Sequence, residues 1–407
     1  MPHPILYLSN GIKLIHKQID SPVSHFGVLV NAGTRDELVS GSGLAHFVEH
    51  TIFKGTEKRS SNQVIRRIED VGGDLNASTS KEETYFHASF LSDYYKRVIE
   101  LLADIFFNAT FPEKEIEKEK NVVIEEINYY HDTPSELIFD EIESLVFADH
   151  PLGRNILGEK KRVKAIKRTD ILDFIQEHYA LPHIVLSSAG NISAEALFNL
   201  CNRYFGNVSM LEATQQRSPF TEYRPQWKTV HKQTSQTHIA IANPAYSFLE
   251  DKKNPFMLLT NMLGGPGMNT RLNIAIRENR GLAYSVDASY ASFSDTGLFV
   301  VYIGCDKENT EKCVELTYKE MRKLCQQKLG TQQLQNIKNQ FLGQMAIANE
   351  SKLTEMLTLG RTALYFDEVE TLEESIENIN GITADELLEV ANEILQPEAM
   401  TVLLYQK

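Results

Sequence analysis

Gly73-Asp74-Leu75-Asn76-Ala77-Ser78 and Gly281-Leu282-Ala283-Tyr284-Ser285-Val286 occupy equivalent places in two similar halves of this 407-residue chain. After each stretch the sequence predicts a strand, over 84–91 and 297–304, and then a long helix. Towards its end, each half again has a helix, a proline and an apolar strand. Self-similarity at a spacing of about 200 residues indicates a duplicated domain and not a solenoid of short repeats.

The elements around the first stretch predict the fold class. Residues 5–8 and 12–16 flank Asn10-Gly11, a dipeptide typical of a hairpin turn. Further strands are predicted at 25–30, 75–80 and 184–189, and helices at 60–70, 93–107, 112–130, 135–147, 169–179 and 194–204. Hairpins followed by helices favour an α+β fold of two homologous domains, each packing helices on an antiparallel-rich sheet. We place the domains at 1–208 and 228–407, with the least patterned stretch, 209–227, as the linker.

Composition limits the possible partners and compartment. The formal net charge of −14 disfavours nucleic acid and anionic membranes, because phosphate binding needs concentrated lysine and arginine. No apolar run is long enough for a membrane span, and residues 1–7 lack the basic-then-apolar order of a signal peptide. The cysteines have no C-x-x-C spacing and are predicted to be buried and reduced; they are Cys201, Cys305, Cys313 and Cys325. We therefore expect a cytoplasmic protein.

His46-Phe47-Val48-Glu49-His50 is the candidate catalytic motif, on a helix that Ser42 is predicted to cap. Histidines four residues apart lie on one helix face, about 5–6 Å apart at Cβ, so both imidazoles can reach one metal ion. Glu49 projects beside such an ion, where a carboxylate can take a proton from water. Such a pentapeptide also arises by chance, and a catalytic zinc site needs a third protein ligand.

The predicted helix at 112–130 is the natural source of the third ligand. Glu119 and Glu126 are seven residues apart and share one helix face, whereas Glu125 points about 100° away. Val122 and the neighbouring apolar residues Val123 and Ile127 indicate that the helix is buried around Glu126. A buried carboxylate needs a cation or hydrogen-bond donors to stay charged.

The motif followed by Glu126, together with Gly43-Leu44-Ala45 before His46, resembles the pitrilysin/insulinase family of inverted-motif zinc peptidases. The resemblance extends over nearly the whole chain and is nearest to short bacterial members similar to the mitochondrial processing peptidase subunits. It implies that the ligands of one zinc ion per chain are His46, His50 and Glu126. It further implies that Glu49 is the general base and that Glu119 orients a ligand from outside the coordination shell.

The resemblance also assigns a role to the second half. Arg277 and Tyr284 are implied to donate to the oxyanion that forms during peptide hydrolysis. The substrate is expected to be extended, adding a strand beside residues 75–79 with Asn76 and Ala77 in contact, unless these residues form a plain edge strand. One departure from the family pattern is Pro266, which lies inside the glycine-rich stretch 264–268.

We predict a zinc-dependent endopeptidase that cleaves peptides or unfolded segments within an enclosed chamber. A binding or assembly subunit with little or no activity, and a zinc hydrolase of non-peptide substrates, remain the alternatives. The two-histidine, one-carboxylate set suits zinc. A homodimer is expected, in which Arg277 and Tyr284 of one protomer complete the zinc site of the other. A paralogous heterodimer, or a monomer that uses its own second half, stays open.

Overall fold

The computed structural model describes residues 3–38, 42–208 and 217–406. Strands β1 to β11 span Ile5–Tyr7, Lys13–Gln18, Val23–Val30, Asp74–Thr79, Thr84–Leu91, Ile184–Gly190, Trp227–His231, Thr237–Ala245, Ala283–Ser292, Gly297–Cys305 and Thr401–Gln406. Helices α1 to α14 span Leu44–Ile52, Ser61–Glu69, Tyr95–Asn108, Glu113–His131, Pro134–Val146, Lys160–Ala165, Arg168–His178, Ala194–Tyr204, Lys253–Gly264, Thr310–Gln326, Thr331–Ala348, Lys352–Tyr365, Leu372–Gly381 and Ala384–Ile394.

Two sheets repeat one topology. The first has the strand order β1-β2-β6-β3-β5-β4 and the second β7-β11-β8-β10-β9. In each sheet one pair is parallel, β2 with β6 and β7 with β11, and the remaining pairs are antiparallel. The predicted α+β class with two homologous domains is therefore confirmed. The predicted first hairpin is confirmed as well, since Ile5 pairs with Ile15.

The chain forms two compact units. The first comprises residues 1–127, 154–217 and 346–371, and the second comprises 128–153, 218–345 and 372–407. Helix α5 of the first sequence half thus belongs to the second unit, and α12 of the second half belongs to the first unit. The boundaries at 1–208, 209–227 and 228–407 stay a prediction about the duplicated halves, and 209–216 lies outside the described residues.

In the first unit, helix α12 covers one face of the sheet. Helix α12 packs against β2, β3 and β6, and Leu359 joins a cluster with Ile15 and Leu29. At Gly360 a Cβ atom would lie 2.6 Å from Leu29 Cδ2 and 2.9 Å from Ser187 Cβ, so a larger residue would force α12 or the sheet to shift. Every residue of β6 is buried, which explains its continuous apolar and small-residue sequence.

In the second unit, α5 packs against β8 and β11 in the same manner. Ile138 and Ile142 of α5 are fully buried against Ala240 and Leu403 of the sheet. A larger apolar cluster elsewhere in this unit includes residues of β8, β10 and β11 together with residues of α9, α10 and α14.

Two predictions from composition can be compared with the structure. The four cysteines are free thiols, and Cys201, Cys305 and Cys313 are buried while Cys325 is partly exposed. Among the helices in the described ranges, none combines the length and the apolar character needed to cross a bilayer.

Candidate metal centre

Helix α1 carries the predicted motif, and Glu37 satisfies its first backbone groups. The N-cap residue is Gly43, whose φ of 89° is a left-handed conformation that favours glycine. The Glu37 carboxylate accepts hydrogen bonds from the backbone N–H groups of Gly43 and Ala45, at 2.9 and 2.7 Å. Burial raises the pKa of Glu37 to about 8 although these hydrogen bonds oppose it. By accepting from the two N–H groups, Glu37 fills the role predicted for Ser42. The predicted Ser42 cap is wrong.

His46, His50 and Glu126 converge on one point. The two imidazole rings are 4.6 Å apart between centroids, and Glu126 Oε2 lies 3.7 Å from His46 Nε2 and 3.4 Å from His50 Nε2. One ligand atom from each residue falls within 4.8 Å of the others. Ligand atoms at about 2.0–2.2 Å from a tetrahedral zinc ion are about 3.3–3.6 Å apart, so these three side chains fit that ion.

The protonation of the two histidines differs sharply. Burial, reinforced by the neighbouring charge of His50, lowers the pKa of His46 to about 4, so His46 is neutral at pH 7. Burial also opposes a charge on His50, but hydrogen bonds to Glu119 and Glu126 outweigh it and raise the His50 pKa to about 9. The hydrogen bond from His50 in turn holds the pKa of Glu126 below its usual range, with burial opposing. The surrounding carboxylates thus stabilise positive charge at this point.

His46 gives a second indication that a cation fits. Its Nδ1 atom is buried and has no hydrogen-bond partner among the described residues. In a neutral imidazole one ring nitrogen carries the proton and the other has a free lone pair. With the proton on Nδ1, the Nε2 atom that faces Glu126 is available as a metal ligand.

The burial of residues along helix α4 agrees with the prediction except at Val122. Val123 and Ile127 are buried and Glu126 is half-buried, as predicted. Val122, however, is 49% exposed, so its use as evidence of burial was wrong. It lies on the solvent side of the helix, as does Glu125. The two buried apolar residues flank the face from which Glu126 projects.

Glu119 lies two turns before Glu126 on α4 and contacts His50 of the centre. One carboxylate oxygen accepts a hydrogen bond from His50 Nδ1 at 3.3 Å, and the other pairs with Lys54 Nζ at 2.7 Å. Burial opposes ionisation of Glu119, but these two partners outweigh it and keep its pKa below the usual range. Glu119 therefore orients His50 through the nitrogen that faces away from Glu126.

Glu49 lies beside the three converging side chains and is held by the sheet. Its Oε2 atom accepts a hydrogen bond from the Thr79 hydroxyl at 2.6 Å. Burial raises the pKa of Glu49 above its usual value, although the Thr79 hydrogen bond and the charge of His50 act against it. The carboxylate is thus more basic than an exposed one, as a proton acceptor in catalysis requires.

Strand β4, which ends at Thr79, forms an edge of the first sheet. It pairs with β5 alone in the part of the chain that the structure describes. Asn76 is exposed, while Ala77 shares the half-buried face of β4 with Thr79. The strand packs against α1. The predicted contact positions therefore lie on an open strand edge next to the helix that carries the motif.

Comparison with known proteins is consistent with this geometry. The family model described as "Insulinase (Peptidase family M16)" matches residues 14–160, and the model described as "Peptidase M16 inactive domain" matches 165–341. The mitochondrial-processing peptidase subunit beta of Saccharomyces cerevisiae is 30% identical, with 97% of this chain and 89% of that protein covered.

This chain belongs to the insulinase family of peptidases.

A second sequence relative and a solved structure are similar to this chain. The protein named "Uncharacterized zinc protease YmxG" of Bacillus subtilis is 29% identical, with 97% of this chain and 96% of that protein covered. A protease from Helicobacter pylori has the same fold, with a TM-score of 0.91 at 20% sequence identity and full coverage of both chains. Family membership and the names of the two sequence relatives support peptidase chemistry in general.

In this insulinase-family chain, Arg277 and Tyr284 lie in the second compact unit, whereas the histidines lie in the first. Arg277 is part of a π-helical turn, Asn273–Glu278, of the kind that often occurs at functional sites. Its guanidinium carbon is 5.3 Å from the centre of the Tyr284 ring, and its ion pair with the adjacent Glu278 measures 3.8 Å. Tyr284 is 75% exposed, so it is not the packed core residue that its aromatic character alone would suggest.

Sequence reasoning missed three residues of the centre. Lys54 follows His50 at the same four-residue spacing as His50 follows His46, which was a usable signal. Thr79 alternates with Ala77 along a predicted strand and so shares its face, a weaker signal. Glu37 lies too far from the start of α1 to be found by any capping pattern.

Proposed function

We propose that this chain is a zinc-dependent endopeptidase, with one zinc ion per chain, that hydrolyses peptides or unfolded polypeptide segments. The observation that carries the proposal is the convergence of His46, His50 and Glu126 beside the carboxylate of Glu49. The relatives named zinc proteases support the same chemistry.

In this proposal, His46, His50 and Glu126 hold the metal. When bound, zinc supplies a Lewis acid that polarises a peptide carbonyl and lowers the pKa of water. Glu49 takes the proton from the attacking water and delivers it to the leaving amine. Glu119 and Lys54 keep the His50 ring in the orientation that presents Nε2.

Substrate would bind as a strand added to the open edge of β4, where backbone pairing gives affinity with little sequence preference. Asn76 and Ala77 are the proposed contact positions. Arg277 and Tyr284 are proposed to donate to the oxyanion, and their exposure to solvent leaves them accessible to a substrate. An enclosed chamber would restrict cleavage to unfolded segments, so a stable folded domain should be spared.

We further propose that the protein acts as a cytoplasmic homodimer. In such a dimer, Arg277 and Tyr284 of one protomer would complete the zinc site of the other. A monomer that uses its own second half is one alternative. The yeast relative is named as a subunit, which keeps a paralogous partner as another.

The test compares three carboxylate variants in zinc content and in cleavage of a quenched fluorescent peptide library, with and without chelator. Glu49→Gln should keep its zinc and lose nearly all hydrolysis, because Glu49 is a base and not a ligand. Glu126→Gln should lose both zinc and activity. Glu125→Gln is the matched control, since the neighbouring side chain is exposed, and it should behave like the unmodified protein. A zinc-free but folded Glu49→Gln protein would instead make Glu49 a ligand.

A binding or assembly subunit with little activity is the second candidate. The family model that matches 165–341 is described as an inactive domain, which favours a non-catalytic role for that part of the chain. Tight peptide binding without chelator-sensitive cleavage, at full zinc occupancy, would support this candidate and exclude the peptidase.

A further inference from the structure

Thr79 is the residue that links the edge strand to Glu49. It is the last residue of β4, and its hydroxyl group donates to Glu49 Oε2 at 2.6 Å. A threonine hydroxyl has one proton to donate, so this bond commits Thr79 to one of the two carboxylate oxygens. The other oxygen, Oε1, is left to accept a proton.

We propose that Thr79 is a positioning residue that fixes the Glu49 carboxylate for proton transfer and couples it to the strand edge where substrate binds. This inference rests on the proposed function. A general base must lie within hydrogen-bond reach of the proton that it removes, and a glutamate side chain rotates about three bonds. The hydrogen bond from the Thr79 hydroxyl to Oε2 limits that rotation.

The backbone around Thr79 is rigid enough for this role. Thr79 pairs with Thr84 across the β4–β5 hairpin, and the buried Thr84 hydroxyl donates to the Ala32 carbonyl at 2.8 Å. The turn between the strands is closed by a backbone hydrogen bond from Ser80 to Glu83 at 2.8 Å. The branched Cβ of a threonine in a strand further restricts its own side-chain rotation.

Two residues of α12 bind the side chain of Glu83, which lies in the same turn. Arg361 Nε lies 3.1 Å from Glu83 Oε1, and the Tyr365 hydroxyl donates to the same oxygen at 2.6 Å. The hydroxyl that holds Glu49 therefore lies next to a turn that is held by hydrogen bonds to Ala32 and to α12. A peptide strand added to β4 would pair directly with the backbone that carries Thr79.

The experiment compares Thr79→Val, which keeps the volume but lacks the hydroxyl, with Thr79→Ser, which keeps the hydroxyl. Thr79→Val should lower kcat on the order of 10- to 100-fold with KM within about twofold, because the base is misplaced while substrate still binds. Zinc content should equal that of the unmodified protein, because Thr79 contacts no proposed ligand. Thr79→Ser should restore kcat to within about threefold.

The outcomes separate this inference from the function on which it rests. An unmodified protein without chelator-sensitive cleavage would overturn the proposed peptidase and this inference together. An active unmodified protein with an equally active Thr79→Val variant would overturn this inference alone. Loss of zinc, or a raised KM at unchanged kcat, would make Thr79 a structural or substrate-binding residue instead.

Discussion

At the scale of single residues, Lys54 is the cation that keeps Glu119 against His50, so its removal should weaken the metal centre. Lys54→Met should lower zinc affinity by about tenfold, the lower end of the effect of losing an outer partner of a metal ligand. Competition with a chromophoric chelator measures this. Lys58→Met is the control from the segment that follows Lys54, because Lys58 is 67% exposed and lies 3.9 Å from its partner Asp104. Equal zinc affinities of the two variants would contradict the role of Lys54.

The sequence predicted which residues converge, and it missed the residues that hold them. His46 and His50 follow from helix geometry, which also places Glu119 and Glu126 on one face of α4. The choice of Glu126 as the ligand came from the family resemblance. Lys54 and Thr79 act through hydrogen bonds whose partners lie on other elements, so their roles depend on packing that no local spacing records. Val122 misled for a related reason, since an apolar side chain on a helix is often exposed.

At the scale of elements, Glu37 fixes the start of α1 and thereby the position of the histidines. Glu37→Ala should lower the free energy of unfolding by about 1–3 kcal/mol, because two helix N–H groups lose a buried acceptor. Urea unfolding of the zinc-free protein measures this. Glu159→Ala is the matched control, because Glu159 is the exposed N-cap residue of α6 and its side chain makes no cap hydrogen bond. A control that is destabilised as strongly as Glu37→Ala would refute the capping role.

Most element boundaries were predicted to within two residues, because periodicity and turn residues are local. Strand β5 and helix α8 agree with the predicted ranges at both ends. No local pattern in the sequence predicted the π-helical turn that holds Arg277. The sequence also did not predict that α5 and α12 each belong to the unit formed mainly by the other half of the chain. The apolar face of a helix shows that the helix packs on a sheet, but it does not identify that sheet.

At the scale of the whole molecule, a shared site can be tested by complementation. His50→Ala removes a proposed ligand, and Arg277→Ala removes a proposed oxyanion donor, so each protein alone should be inactive. In a randomly exchanged mixture half of the dimers are mixed and each has one complete site, so about a quarter of the normal activity should return. Exchange confirmed by mass spectrometry, without any return of activity, would rule out the shared-site dimer.

The exchange of α5 and α12 has a consequence for how the chain is synthesised and how it arose. The strands that α12 covers include β2 and β3, near the start of the chain, yet α12 emerges from the ribosome more than 300 residues later. During synthesis, the apolar face of the first sheet stays exposed until α12 has been made. Exposed apolar surface of this kind is what chaperones bind. The same exchange is what two identical ancestral chains would show after swapping one helix and then being fused into one gene.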